Sequence, residues 1–206
     1  MSAIEWVLFD LGGVLVEVDQ PKIFSALSQG CGIPAAEVEA RLKGAIHLWN
    51  PFIEREFSPA ELTKLVNGLL GSQLSEGQVV ESFNAELGST ISSTADLLPS
   101  LRRKAQVGCL SNTNSIHWDR LLSAYEFMGH FDRRFASQIL GCAKPKGIIY
   151  EKVEKLLGVQ PRSILFFDDR QDNVDSAARL GWNAKLYSGH AGLVSDLSKA
   201  GLIAAQ

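Results

Sequence analysis

Apolar positions follow two alternating patterns along the chain. The run IEWVLF (4–9) is apolar almost throughout, which predicts a strand covered on both faces. QVGCL (106–110), RRFA (133–136), SILFF (163–167) and AKLY (184–187) predict four more strands. Between them, apolar residues return at helical spacing. Trp118, Leu121, Leu122 and Tyr125 form one such stripe, and Ile149, Val153, Leu156 and Leu157 a second. Val174, Ala177 and Ala178 form a third, which Gly181 ends. Strands alternating with helices of this length imply βαβ units: an α/β fold with a parallel sheet covered on both faces.

From about residue 20 to 90 the alternation stops, with helix signals and no convincing strand. Pro34 suits a first helical position ahead of Val38, Leu42, Ala45 and Ile46. Ser58-Pro59-Ala60-Glu61 is a capping box, followed by Leu62, Leu65, Val66 and Leu69. Ser75 and Gln78 make another box, and Gly88 is a plausible stop. A helical insert directly after the first strand reads as a cap over the strand's carboxyl end, with the α/β pattern resuming near 92.

Composition narrows the partners. The 206 residues are 46% apolar and 21% charged, as in an ordinary globular protein. A net charge of −3 supplies no basic footprint for nucleic acid or anionic lipid. No apolar run approaches a membrane span, and Glu5 stands where a signal peptide would want basic residues. Cys31, Cys109 and Cys142 share no metal-ligand spacing and read as free thiols, so a cytoplasmic location is expected. The sequence carries no signal for an oligomeric state.

Ligands of an open parallel sheet sit beyond the carboxyl ends of its strands. The first strand delivers Asp10 and then Leu11-Gly12-Gly13, a carboxylate beside backbone that can approach a ligand closely. The second ends in Ser111-Asn112-Thr113-Asn114, donors that suit an oxyanion and serve equally as a helix cap. Lys144-Pro145 follows; Lys144 could pair with a phosphate, although such a dipeptide alone is ordinary surface. A later strand ends in Asp168-Asp169, with Asp172 and Asn173 close behind. Adjacent carboxylates repel unless a cation or donors lie between them, and hard oxygen ligands favour Mg²⁺.

Each signal also has a plain structural reading; their order is what is specific. FDLGGVL (9–15), CLSNTN (109–114), AKP (143–145) and FFDDRQDN (166–173) together resemble the haloacid dehalogenase-like (HAD) hydrolase superfamily. With PFIEREFSPAEL (51–62), they are similar to the small phosphatases related to the α-D-glucose-1-phosphate phosphatase. The resemblance implies a Rossmannoid three-layer core at 1–16 and 92–206 with a helical cap at 17–91. It implies a Mg²⁺-dependent phosphatase of a small phosphorylated metabolite, with sugar phosphates among the candidate substrates. Asp10 would be the nucleophile, Ser111 and Asn112 would hold phosphoryl oxygens, and Lys144 would neutralise charge on both. Asp10, the Gly12 carbonyl and Asp169 would bind the metal, supported by Asp168 and Asn173.

One position departs from the pattern. Gly12 stands where most phosphatases of the superfamily carry a second Asp as general acid and base. A 2-haloacid dehalogenase needs no such acid, but it works without metal, so Asp168-Asp169 argues against that alternative. A phosphate-binding relative without turnover is the other alternative. In the cap, His47, Trp49, Glu54 and Arg55 could face substrate, with surface or cap-core packing as the plainer reading. His117, His130 and His190 share no ligand spacing, and Cys109 reads as inert core.

Overall fold

The computed structural model describes residues 3–204, except the side chains at 49 and 50. Its main sheet has five strands: β1 (Trp6–Phe9), β4 (Gln106–Ser111), β5 (Arg133–Ala136), β6 (Ile164–Asp168) and β7 (Asn183–Leu186). All neighbours are parallel, in the order β5-β4-β1-β6-β7. All five expected runs therefore form strands, displaced by at most two residues. In the last long run the shift brings Asp168 into the strand as its final residue.

The pleat sorts side chains into two apolar layers. Val7 and Phe9 of β1 join Val107, Cys109, Leu165 and Phe167 against Trp118, Leu121, Leu193 and Leu197 of the helices Ser115–Ala124 and His190–Lys199. Trp6 and Leu8 join Leu110, Ile164 and Phe166 on the opposite face, under Ile149, Tyr150 and Val153 of the helix Gly147–Leu157. Doubly covered strands explain why these runs are apolar without alternation. The helical stripes are narrower than their spacing suggests: Leu122 and Leu156 are exposed.

Between β1 and β4 the chain forms a separate helical layer. Its longer helices are Pro21–Cys31, Ala35–Gly44, Pro59–Leu70 and Glu76–Asn84. Both capping boxes form: Ser58 Oγ accepts from the Glu61 N–H at 3.2 Å while Glu61 Oε2 accepts from the Ser58 N–H at 3.1 Å, and Ser75 pairs likewise with Gln78. Pro34 stands one position early, at the N-cap. Leu27, Val38, Leu62, Val66 and Val79 are the centre of this layer's own apolar cluster. Ile46, expected on the same stripe, is exposed.

One expectation is corrected. Leu87–Thr90 is a strand, β3, paired antiparallel with β2 (Val16–Val18) in a two-stranded flap. Gly88 lies within that strand rather than ending a helix, and its missing side chain lets the facing strand approach, since a Cβ there would stand 3.0 Å from Glu17 Cβ. Among the described residues, no helix is long and apolar enough to cross a membrane.

Candidate active site

The carboxyl ends of β1, β4 and β6 bring three segments together, since these strands are adjacent in the sheet. Asp10 follows β1, its N–H donating to the Phe167 carbonyl at 2.8 Å. Its side chain is buried, with Oδ1 accepting from the Leu11 N–H at 2.7 Å and lying 3.1 Å from Lys144 Nζ. Burial pushes its carboxyl up to about 6; Lys144 opposes the shift and Asp168 adds to it.

Lys144 is buried with all three ammonium donors engaged. Nζ reaches the Leu110 carbonyl at 2.7 Å, Asp168 Oδ2 at 2.6 Å and Asp10 Oδ1 at 3.1 Å. It thereby separates two carboxylates that would otherwise repel. Asp168 is held further by the Arg170 N–H at 2.9 Å and by Asn173 Nδ2, which lies 2.9 and 3.1 Å from its two oxygens. Tyr150 anchors this support, its hydroxyl donating to the Asn173 carbonyl at 2.9 Å.

Asn112 has a task besides the expected one. Its Nδ2 donates to the Lys144 carbonyl and its Oδ1 accepts from the Lys144 N–H, both at 2.8 Å. The side chain is a clamp on Lys144, and its amide nitrogen carries a second hydrogen besides the one given to the Lys144 carbonyl. Ser111, at the end of β4, is buried beside it. Ser137 braces the same loop by accepting from the Thr113 N–H at 3.1 Å. Asn114 caps the helix Ser115–Ala124, which is the plainer reading of that position.

Asp10, Asp168 and Asp169 each offer a carboxylate oxygen within 4.8 Å of the others. Three carboxylates against the single Lys144 ammonium leave an excess of two negative charges, which one divalent cation balances. Burial raises the Asp169 carboxyl, and the neighbouring Asp168 adds to the shift. The Asp10–Gly13 turn is shaped to this cluster: Gly13 has φ +72°, and a Cβ there would sit 2.4 Å from Asp169 Oδ2. At Gly12 an added Cβ would meet Val18 Cγ2 of the flap at 3.1 Å. The hard-oxygen donor set and this glycine cradle fit Mg²⁺.

Glu54 touches the site's edge. Its Oε1 accepts from the Ala143 N–H at 3.1 Å and from Lys146 Nζ at 2.5 Å, tying the helical layer to the Lys144 loop. Sequence spacing could not show this link, since 89 residues separate Glu54 from Ala143. His47, Glu54 and Arg55 line a cleft of about 560 Å³ together with Lys144 and Lys146. Arg55 also lies over the Phe52 ring and reaches Glu61 at 3.2 Å. The Trp49 side chain lies outside what the structure describes. Cys109 is buried in β4, and burial pushes its thiol up to about 12, as suits inert core.

Comparison with known proteins gives a consistent picture. Residues 4–181 match the model of the haloacid dehalogenase-like hydrolase family. A phosphatase of Mycobacterium tuberculosis is 31% identical over 98% of this chain and 97% of its own length. A D-ribitol-5-phosphate phosphatase of Bacteroides thetaiotaomicron is 26% identical over 87% of this chain and 89% of its own. A HAD family enzyme of Bacteroides thetaiotaomicron, crystallised with magnesium and inorganic phosphate, matches with a TM-score of 0.78 at 28% identity. That match covers 89% of this chain and 94% of the other.

Proposed function

The chain belongs to the haloacid dehalogenase-like hydrolase family, and from that premise we propose a Mg²⁺-dependent phosphatase of small phosphate monoesters, acting through an aspartyl-phosphate on Asp10. The observation that carries this reading is the Asp10 carboxylate, buried and held 3.1 Å from Lys144 Nζ beside Asp168 and Asp169. A nucleophile in that position needs charge compensation and fixed direction, and phosphoryl transfer draws most of its catalysis from those two effects.

Asp10 attacks phosphorus while Lys144 and the Leu11 N–H hold its Oδ1, leaving the second oxygen to form the bond. The Ser111 hydroxyl donates to a phosphoryl oxygen, and Asn112 keeps Lys144 in place. Asp10, Asp169 and the Gly12 carbonyl would hold Mg²⁺, with Asp168 and Asn173 in support. When bound, the ion offsets charge between the nucleophile and the phosphoryl group. The same reading divides the chain into a catalytic core, 1–16 and 92–206, and a cap, 17–91. In its support, all described strands of the main sheet lie outside 17–91. The site's place beyond the sheet and a net charge of −3 suit a small-molecule substrate.

The test is a panel of phosphorylated metabolites assayed with and without Mg²⁺. Release of phosphate only with the metal supports the reading; release of halide from 2-haloacids without it would replace phosphatase by dehalogenase.

A further inference from the structure

The loop that carries Lys144 is pinned through its own backbone. The Cys142 N–H donates to the Ser137 carbonyl at 3.2 Å, and the Lys146 N–H to the Ala143 carbonyl at 3.0 Å. Asn112 holds the N–H and the carbonyl of Lys144, and Ser176 Oγ donates to the Pro145 carbonyl at 2.6 Å. These partners all lie within residues 112–176. The Ala143 N–H is different: it crosses to Glu54 Oε1 of the helical layer at 3.1 Å. Ala143 is buried, so losing that oxygen would strand its N–H in a place where an unmade hydrogen bond is costly.

Glu54 is itself held in place. Phe52 and Phe57, on either side of it, are buried in the helical layer's apolar cluster with ring centroids 4.3 Å apart. The Glu54 N–H closes a turn onto the Pro51 carbonyl at 3.1 Å, and the Phe57 N–H donates to Ser115 Oγ at 3.2 Å. Residues 54–57 therefore strap the start of the helix after β4 to the Lys144 loop. Glu54 also pairs with Lys146, but that lysine side chain is 61% exposed, and an ion pair open to water holds little. The bond to the buried Ala143 N–H is the one that bears on the site.

We propose that Glu54 is a positioning residue for the reaction: by accepting from the Ala143 N–H it fixes the loop that carries Lys144, and so sets the ammonium's place beside Asp10. The inference rests on the phosphatase reading above. The role needs an accepting oxygen at Glu54, and neither its negative charge nor a proton from it.

The test uses acetyl phosphate on the Mg²⁺-loaded protein, because its leaving group is small and acidic enough to depart without a delivered proton. Glu54→Met, which keeps the stem and removes both oxygens, is expected to lower kcat about tenfold. That is less than the roughly 10²-fold for a reacting group displaced by an ångström, since Asn112 still grips Lys144. Glu54→Gln, which restores an accepting oxygen without the charge, is expected to recover most of the rate. Glu54→Ala is the second loss variant should Glu54→Met fail to fold. Amide hydrogen exchange on the same proteins reads the loop without turnover. The Lys144 N–H, which Glu54 does not touch, should exchange about tenfold faster in Glu54→Met, the scale of one hydrogen bond, and return toward the parent rate in Glu54→Gln. Parent-like kcat in Glu54→Met, or parent-like exchange at Lys144, would overturn the proposal. So would a Glu54→Gln protein as slow as Glu54→Met, which would make the charge or the proton of Glu54 the group that matters. If the parent releases no phosphate from acetyl phosphate or from any phosphate ester, the phosphatase reading has failed. Exchange at Lys144 then decides by itself whether Glu54 holds the loop.

Discussion

Asn112 grips the backbone of Lys144 from both sides, its amide donating to the lysine carbonyl and its oxygen accepting from the lysine N–H, each at 2.8 Å. The pairing fixes where the ammonium enters the site, and through it the Asp10 carboxylate. Replacing Asn112 with Ala is expected to lower kcat by about 10²-fold, the usual scale for a reacting group displaced by an ångström. KM for a small ester should change less than kcat, because the larger effect runs through Lys144. Steady-state kinetics beside a circular dichroism spectrum check both halves. An unchanged kcat would show that Lys144 needs no such clamp.

Lys144→Met leaves Asp10 and Asp168 buried with no cation between them. Breaking a buried pair in this way costs about 3–5 kcal/mol, and urea unfolding of the metal-free variant measures it. Adding Asp168→Asn should recover part of the loss by removing one stranded charge. A double variant no more stable than the single would contradict the account of Lys144 as a separator of carboxylates.

Gly13→Ala forces a side chain onto φ +72° and places its Cβ 2.4 Å from Asp169 Oδ2. Backbone strain alone amounts to about 1–2 kcal/mol. The larger effect is expected in metal binding: with Asp169 pushed aside, Mg²⁺ affinity should weaken by at least the about 10–100-fold seen when a group supporting a metal ligand is lost. Mg²⁺ titration of the variant and parent gives the comparison. Equal affinities would remove Asp169 from the metal site.

Gly12 offers no carboxylic acid to protonate a departing oxygen. Across aryl phosphates of rising leaving-group pKa, the rate should fall steeply, by up to the about 10²–10⁴-fold that a general acid supplies. Gly12→Asp should flatten the slope. The substitution needs only that Val18 Cγ2, 3.1 Å from the new Cβ, turn away, and Val18 is exposed enough to do so. A flat dependence in the parent protein, with chemistry limiting, would mean that another residue delivers the proton; Glu54 and His47 in the cleft beside Lys144 would be the first to change.

Much of this arrangement was legible in the residues alone. β1, β4 and β6 are buried on both faces along most of their length, so those stretches had to be apolar, and the polar residues at their carboxyl ends, Asp10, Ser111 and Asp168, were conspicuous. The capping boxes were equally plain, because their bonds close within three residues. β3 was not: Leu87–Thr90 is short and half-exposed, contains a glycine, and takes its register from a partner about 70 residues away. The clamp from Asn112 to Lys144 spans 32 residues and leaves no periodic trace, so capping and phosphate binding were the readings its residue type suggested. Ile46, Leu122 and Leu156 show the opposite failure, apolar residues in step with a stripe that the fold leaves exposed.

Covalent catalysis by Asp10 is the centre of the account, and Asp10→Asn tests it most directly. An amide has nearly the shape of the carboxylate and is a poor nucleophile, so the variant should fold as the parent does. Mg²⁺-dependent hydrolysis of an aryl phosphate, measured on both proteins side by side, is expected to proceed in the parent and to fall to background in Asp10→Asn. A variant that retained a near-parental rate would contradict attack by this residue.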